Sequence, residues 1–224
     1  MKHRIVALAA VVAFATLCVG ANAATTAAPK LSSQPQASEK AFIGAMQADL
    51  MKRFPTAAAA EAAGYFRYTN EDNTGAISYA NLQWTSDATH PSQLWYDVNG
   101  NLLGADFSQP DAPAAPKIWG ILPARWYHFK GPHVHVVYTE NGKTVYGHAT
   151  SFKKFTAAGG DPTSPAGATF VKLGMVKDAS QVTHAFVFPA MWDLIVWVKP
   201  NPNGAFADKN PNVIPSANAE KMSD

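Results

Sequence analysis

Hydrophobic positions recur along this 224-residue chain with two different periods, and the switch between them divides it. Between Ser38 and Arg53, Phe42, Ile43, Met46 and Leu50 fall on one stripe with helical spacing, in which residues three and four apart share a face. Lys52 and Arg53 suit the negative end of that helix, and Pro55 stops it. Thr56 is placed to cap a second, short helix through the alanines to Ala63, with Gly64 ending it. After Gly64 the texture becomes Tyr, Trp, Val and Thr between closely spaced turn residues, which favours antiparallel strands. The predicted strands are 65–69, 76–84, 93–98, 101–107, 125–129, 133–140, 143–151, 168–173, 182–188 and 192–198. The expected fold is therefore α+β, mainly antiparallel β in a sandwich or barrel-like sheet, with two short N-terminal helices. Helices occupy 38–64, the β domain 65–206 and an irregular, proline-containing tail 207–224, with Phe206 as its anchor.

Two Asn-Gly pairs lie between alternating runs, and each predicts a hairpin, because both central positions of a type I′ turn need positive φ. At Asn99-Gly100 the two-residue register pairs Tyr96 with Leu103 and sets Trp95 over Gly104. Leu94, Tyr96, Val98, Leu103 and Ala105 then form the apolar face. At Asn141-Gly142, Glu140 pairs with Lys143 and Tyr138 with Val145, and an unbroken ladder brings His148 opposite His135. His133, His135 and His148 then share one face, and Val134, Val136, Tyr138 and Val145 the other. Three imidazoles at that spacing are within reach of one ion. A three-residue loop with a bulge at Gly142 would instead carry His148 to the opposite face, and the same histidines also suit a half-buried sheet face as structural residues.

Other residues extend the candidate site. His184 shares a strand face with Phe186 and Phe188 and stands as a fourth metal ligand or a core histidine; His128 has the same two readings, and His90 reads as a loop residue. Asp193 lies in the apolar run Met-Trp-Asp-Leu-Ile-Val-Trp-Val and needs a partner, since an unpaired buried carboxylate is costly. A backbone amide at the strand's start, a base, or a metal-bound histidine are the candidates. Asn70-Glu-Asp72-Asn-Thr74-Gly75 spaces oxygens like a calcium loop, but Asn81 replaces the closing glutamate and a polar turn accounts for it.

Composition narrows this chemistry. Lys2 and Arg4, an apolar run from Ile5 to about Val19 and Ala21-Asn22-Ala23 read as an export signal cleaved after Ala23. The mature chain is expected to be periplasmic or secreted, with no stable membrane anchor, and to start with a disordered leader over 24–37. Cleavage leaves 16 basic against 16 acidic residues, a balance with no electrostatic footprint for nucleic acid. It also removes Cys18, the single cysteine, so disulfides, thiolate nucleophiles and thiolate-bound metals are excluded. A divalent ion at the histidines would be zinc, manganese, iron or type 2 copper.

One family resemblance attaches to the histidine pair. His133-x-His135, four residues, Glu140, six residues, Gly147 resembles the first metal motif of cupins, and Gly159, five residues, Pro165-x-Gly167 resembles the start of the second. Tyr127 stands where the first motif has glycine, and Phe170 where the second has its final histidine. The resemblance covers about 40 residues and implies a metal-dependent enzyme with Glu140 as a ligand, which excludes His148 from the same role. The sequence thus supports a histidine-bound metal whose fourth position is open for catalysis or filled by His184 or His128, a ligand- or glycan-binding module built on exposed tryptophans, or a structural protein. No serine-histidine-acid order, phosphate loop or nucleotide fingerprint is present.

Overall fold

The computed structural model describes residues 32–220, so the expected export signal, its cleavage site and most of the leader lie outside the described residues. Helix α1 spans Ala37–Arg53, opened by a capping box between Gln36 and Glu39 and buried along the predicted stripe. Helix α2 spans Ala57–Ala62, and the Thr56 hydroxyl accepts the Ala59 N–H at its start.

Among the described residues nine strands follow: β1 (Phe66–Arg67), β2 (Ile77–Ala80), β3 (Gln93–Tyr96), β4 (Leu102–Pro110), β5 (Tyr127–Phe129), β6 (His133–Glu140), β7 (Lys143–Ser151), β8 (Val182–Phe188) and β9 (Met191–Trp197). They form a six-stranded sheet in the order β1-β2-β3-β4-β9-β5 and a three-stranded sheet in the order β7-β6-β8. Neighbouring strands are antiparallel throughout. The protein is α+β and mainly antiparallel β.

Residues 168–173, predicted as a strand, belong instead to helix α4 (Gly167–Lys172), and helix α3 (Phe152–Ala157) follows β7 directly. A run of six residues carries too little periodicity to separate strand from helix. Tertiary packing decides: Phe155 and Phe170 meet with ring centroids 5.4 Å apart and cover Val134 and Val136 of the three-stranded sheet.

The six-stranded sheet has two unlike faces. Leu94, Tyr96, Ala105, Phe107, Leu194 and Val196 pack under Phe42, Ile43, Met46 and Leu50 of α1. The alternate positions carry Gln93, Trp95, Asp106, Ser108, Asp193 and Trp197 toward the other side. Trp95 does lie over Gly104, where an added Cβ would come within 2.6 Å of the indole. Tyr96, however, pairs with Leu102, not Leu103. The Asn99-Gly100 connection has positive φ only at Gly100, because the Asp97 carboxylate captures the N–H groups of Asn99 and Asn101. The resulting shift moves Leu103 into a cluster with Trp95, Trp197 and Val213 and leaves Val98 54% exposed, so the expected five-residue apolar face is broken up.

Candidate functional site

The second Asn-Gly turn behaves as expected at its tip and departs from expectation further down. Asn141 and Gly142 both have positive φ, 51° and 75°, and the ladder runs Glu140 to Lys143, Thr139 to Thr144 and Tyr138 to Val145. Then Tyr146 and Gly147 together stand against Val137, with Gly147 at φ 77°. This is a β-bulge. Past it, Val136 pairs with His148 and His135 with Ala149. The extra residue reverses every later side chain on β7, so His148 lies exposed on the face of Val136, against the Tyr138 ring at 5.4 Å. The bulge serves a neighbour: Gly147 N–H donates to Tyr68 C=O at 2.9 Å, and Asn70 Nδ2 donates to Tyr146 C=O.

His133 and His135 remain together on the face turned toward the six-stranded sheet. The Gly131 carbonyl accepts from His133 Nδ1 at 2.9 Å, which fixes that nitrogen as the protonated one. In a neutral His133 the Nε2 lone pair then receives the His135 Nε2–H, at 2.8 Å. His135 Nδ1 is thereby a buried lone pair without a partner. Burial, with the neighbouring His133 adding to it, pushes the His135 imidazole down to about 3, so it is neutral.

The remaining proposed ligands are elsewhere. His184 is opposite Val137 on β8, exposed, and stacked on Phe66 at 4.8 Å. His128 belongs to β5, stacked on Trp192 at 4.0 Å with Nε2 2.6 Å from Asp111, while His90 is an exposed loop residue beside Asp87. Among the described residues no group of three or more His, Cys, Asp or Glu side chains is arranged for a metal ion. A zinc site uses at least three protein ligands, and His133 and His135 supply two. Glu140 is no substitute, since it sits at the turn on the opposite face and pairs with Lys177 at 2.7 Å. The cupin-like ligand set is therefore not assembled, and its second half lies in α4 and the turns before it. At the calcium-like loop, Asp72 Oδ1 accepts from the Thr74 N–H and hydroxyl and from Ala76 N–H, which makes it a self-capped turn.

Aromatic rings surround the histidine pair. Phe188 is bordered by Trp84 at 4.9 Å, Phe129 at 5.1 Å and His133 at 5.1 Å, and these three are half-buried. Phe186 stacks beneath His135 at 5.2 Å. The tryptophans were expected on the surface in the binding-module reading. Trp95, Trp126 and Trp197 are instead buried, and Trp84, Trp119 and Trp192 half-buried. Trp84 is the one at the histidines; Trp119 and Trp192 pack against the core under α1.

Across from these rings lies a polar set that the sequence signalled only through Asp193. The Ser108 hydroxyl donates to Asp193 Oδ1 at 2.6 Å, and Ser92 Oγ is 2.6 Å from Ser108 Oγ. Asp193's partner is thus a serine directly opposite it on the neighbouring strand β4, 85 residues earlier in the chain, and not the backbone amide expected at the strand's start. Asp106, which no sequence argument picked out, is buried beside it; the signal was available, an acid inside the apolar run Leu-Leu-Gly-Ala-Asp-Phe. Tyr68 connects the two groups: its hydroxyl donates to Gln93, opposite Asp106, and its ring meets His135 edge-on at 4.8 Å. No family model matches the chain, and no similar curated protein or solved structure was found.

Proposed function

We propose that the protein is a ligand-binding module whose site is the half-buried rim of Trp84, Phe129 and His133 around Phe188, and that it takes a flat or ring-shaped organic ligand such as a sugar or an aromatic compound. One observation carries this reading. Three half-buried rings, Trp84, Phe129 and His133, border a fourth, Phe188. Clustered ring faces that stay partly open to water are a usual lining for flat organic ligands and sugars. The export signal read over residues 1–23 supports a periplasmic or secreted setting for such a module.

Intrinsic tryptophan fluorescence of the untagged protein, titrated with sugars and with flat aromatic compounds, tests the reading. Saturable binding that weakens about tenfold or more in Trp84→Ala supports it. Binding unchanged in that variant, or no binding to either class, removes it. Metal analysis of the same sample separates the rival: stoichiometric metal lost in His135→Ala would put a two-imidazole metal site in place of the ligand reading.

A further inference from the structure

Asp106 and Asp193 lie on adjacent strands, β4 and β9, with Asp106 opposite Ile195 and Asp193 opposite Ser108. They are therefore diagonal neighbours on one face, at a spacing of roughly 7 Å between backbones that brings carboxyl groups within reach of each other. Each is 7% exposed. The donors are few: Ser108 serves Asp193, while Oδ1 of Asp106 is buried with no hydrogen-bond partner. Among the described residues no lysine or arginine forms an ion pair with either acid. Two ionised carboxyls here would face each other's charge without a counter-ion, so the arrangement tolerates a shared proton and resists losing it. Beside the pair, Tyr68 joins the two sheets through Gln93 on one side and His135 and Phe186 on the other.

We propose that Asp106 and Asp193 form a protonation lock on the packing of the two sheets, closed while the pair retains a proton and loosened when both carboxyls ionise. The direction agrees with the environment of each acid. Burial first, and then the charge of Asp193, hold Asp106 well above the usual carboxylate range, with the Trp95 indole N–H opposing. Burial pushes Asp193 up to about 6 despite the Ser108 bond. The other titratable groups facing the pair are Tyr68, raised by burial and by both aspartates and so protonated, and, beyond its ring, the neutral His135; Tyr127 lies opposite Asp193 on β5. His135 titrates in the opposite sense, but it is common to every variant compared.

The test uses the full chain. Thermal midpoints of the wild type, Asp106→Asn and Asp193→Asn are measured from about pH 5 to about pH 8. The variants are expected to gain on the wild type as the pH rises, by about 4 °C or more at the upper end, because the neutral amide removes the ionisation. Amide protection in β4 and β6 of the wild type is expected to fall over the same range while that of α1 holds. A variant-to-wild-type difference that stays constant with pH overturns the proposal, as does equal loss of protection in α1. Should neither variant fold, infrared spectra of the wild type at neutral pH decide: a protonated carboxylic acid carbonyl band supports the lock, and its absence overturns it.

Discussion

Glu39 and the Asp106–Asp193 pair are buried acids on opposite sides of the same six-stranded sheet, and they differ in what surrounds them. Glu39 is 0% exposed, yet Arg125 reaches its two oxygens through Nε and Nη2, both at 3.0 Å, and the N–H groups of Gln36 and Leu122 add further bonds. Burial alone would raise its carboxyl; the Arg125 hydrogen bonds and the two backbone amides outweigh it and hold the group below its ordinary value. The aspartates are buried to a similar degree with only the Ser108 hydroxyl on Asp193 and the Trp95 indole at Asp106 to offset it, and both are raised. The same desolvation therefore yields opposite outcomes, decided by donors and counter-charge. The pH signs follow. Glu39, depressed, contributes stability that is present above the ordinary glutamate value and lost as pH falls through its folded one. The aspartates, raised, contribute stability that is present below about pH 4 and lost as pH rises through about 6 and beyond.

Removing the difference at its strongest point has the largest expected effect. Arg125→Ala leaves Glu39 buried and unpaired, and also frees the Ser32 and Gln34 carbonyls and the Phe206 ring that the guanidinium holds. It is expected to cost about 3–5 kcal/mol in urea unfolding at neutral pH, and to turn Glu39 into an acid that destabilises as pH rises; a loss below about 1 kcal/mol would show that the two sites do not differ as described. Asp193→Asn works in the other direction. The gap between 3.8 and about 6 corresponds to about 3 kcal/mol of advantage over the wild type gained as pH is raised through that interval, read from unfolding curves at each pH. Ser108→Ala sharpens the comparison, because it deletes the hydroxyl that donates to Asp193: a cost of about 1–2 kcal/mol and a further rise of the Asp193 carboxyl are expected, the latter followed by carbon NMR. Glu140, exposed beside Lys177, is the surface control, and Glu140→Ala is expected to leave the thermal midpoint unchanged.

Much of the fold was legible because it rests on local pattern. The α1 stripe, the Thr56 cap, the strands 133–140, 143–151 and 182–188, and the type I′ turn at Asn141-Gly142 follow from periodicity and turn chemistry, which act over a few residues. Two of the failures come from contacts outside the local window, and the third from a side chain beside its turn. Residues 168–173 are helical because Phe170 must meet Phe155 over β6. His148 leaves the His135 face because Gly147 bends toward Tyr68, almost eighty residues earlier in the chain. In the first hairpin, Asp97 overrides the Asn-Gly preference by capturing two backbone amides.

For the candidate site, the sequence by itself determined which residues alternate onto one face: His133 and His135 on β6, and His184, Phe186 and Phe188 on β8, since side-chain alternation along a strand needs no partner. It also set the available chemistry, with imidazoles and carboxylates but no thiolate outside the expected export signal. Only the tertiary structure decided which faces meet. Register past a bulge and the pairing of strands far apart in the chain depend on contacts that local pattern does not encode. Those contacts separated three histidines into a pair and an outlier, and set Asp106 beside Asp193 where, among the described residues, no lysine or arginine pairs with them.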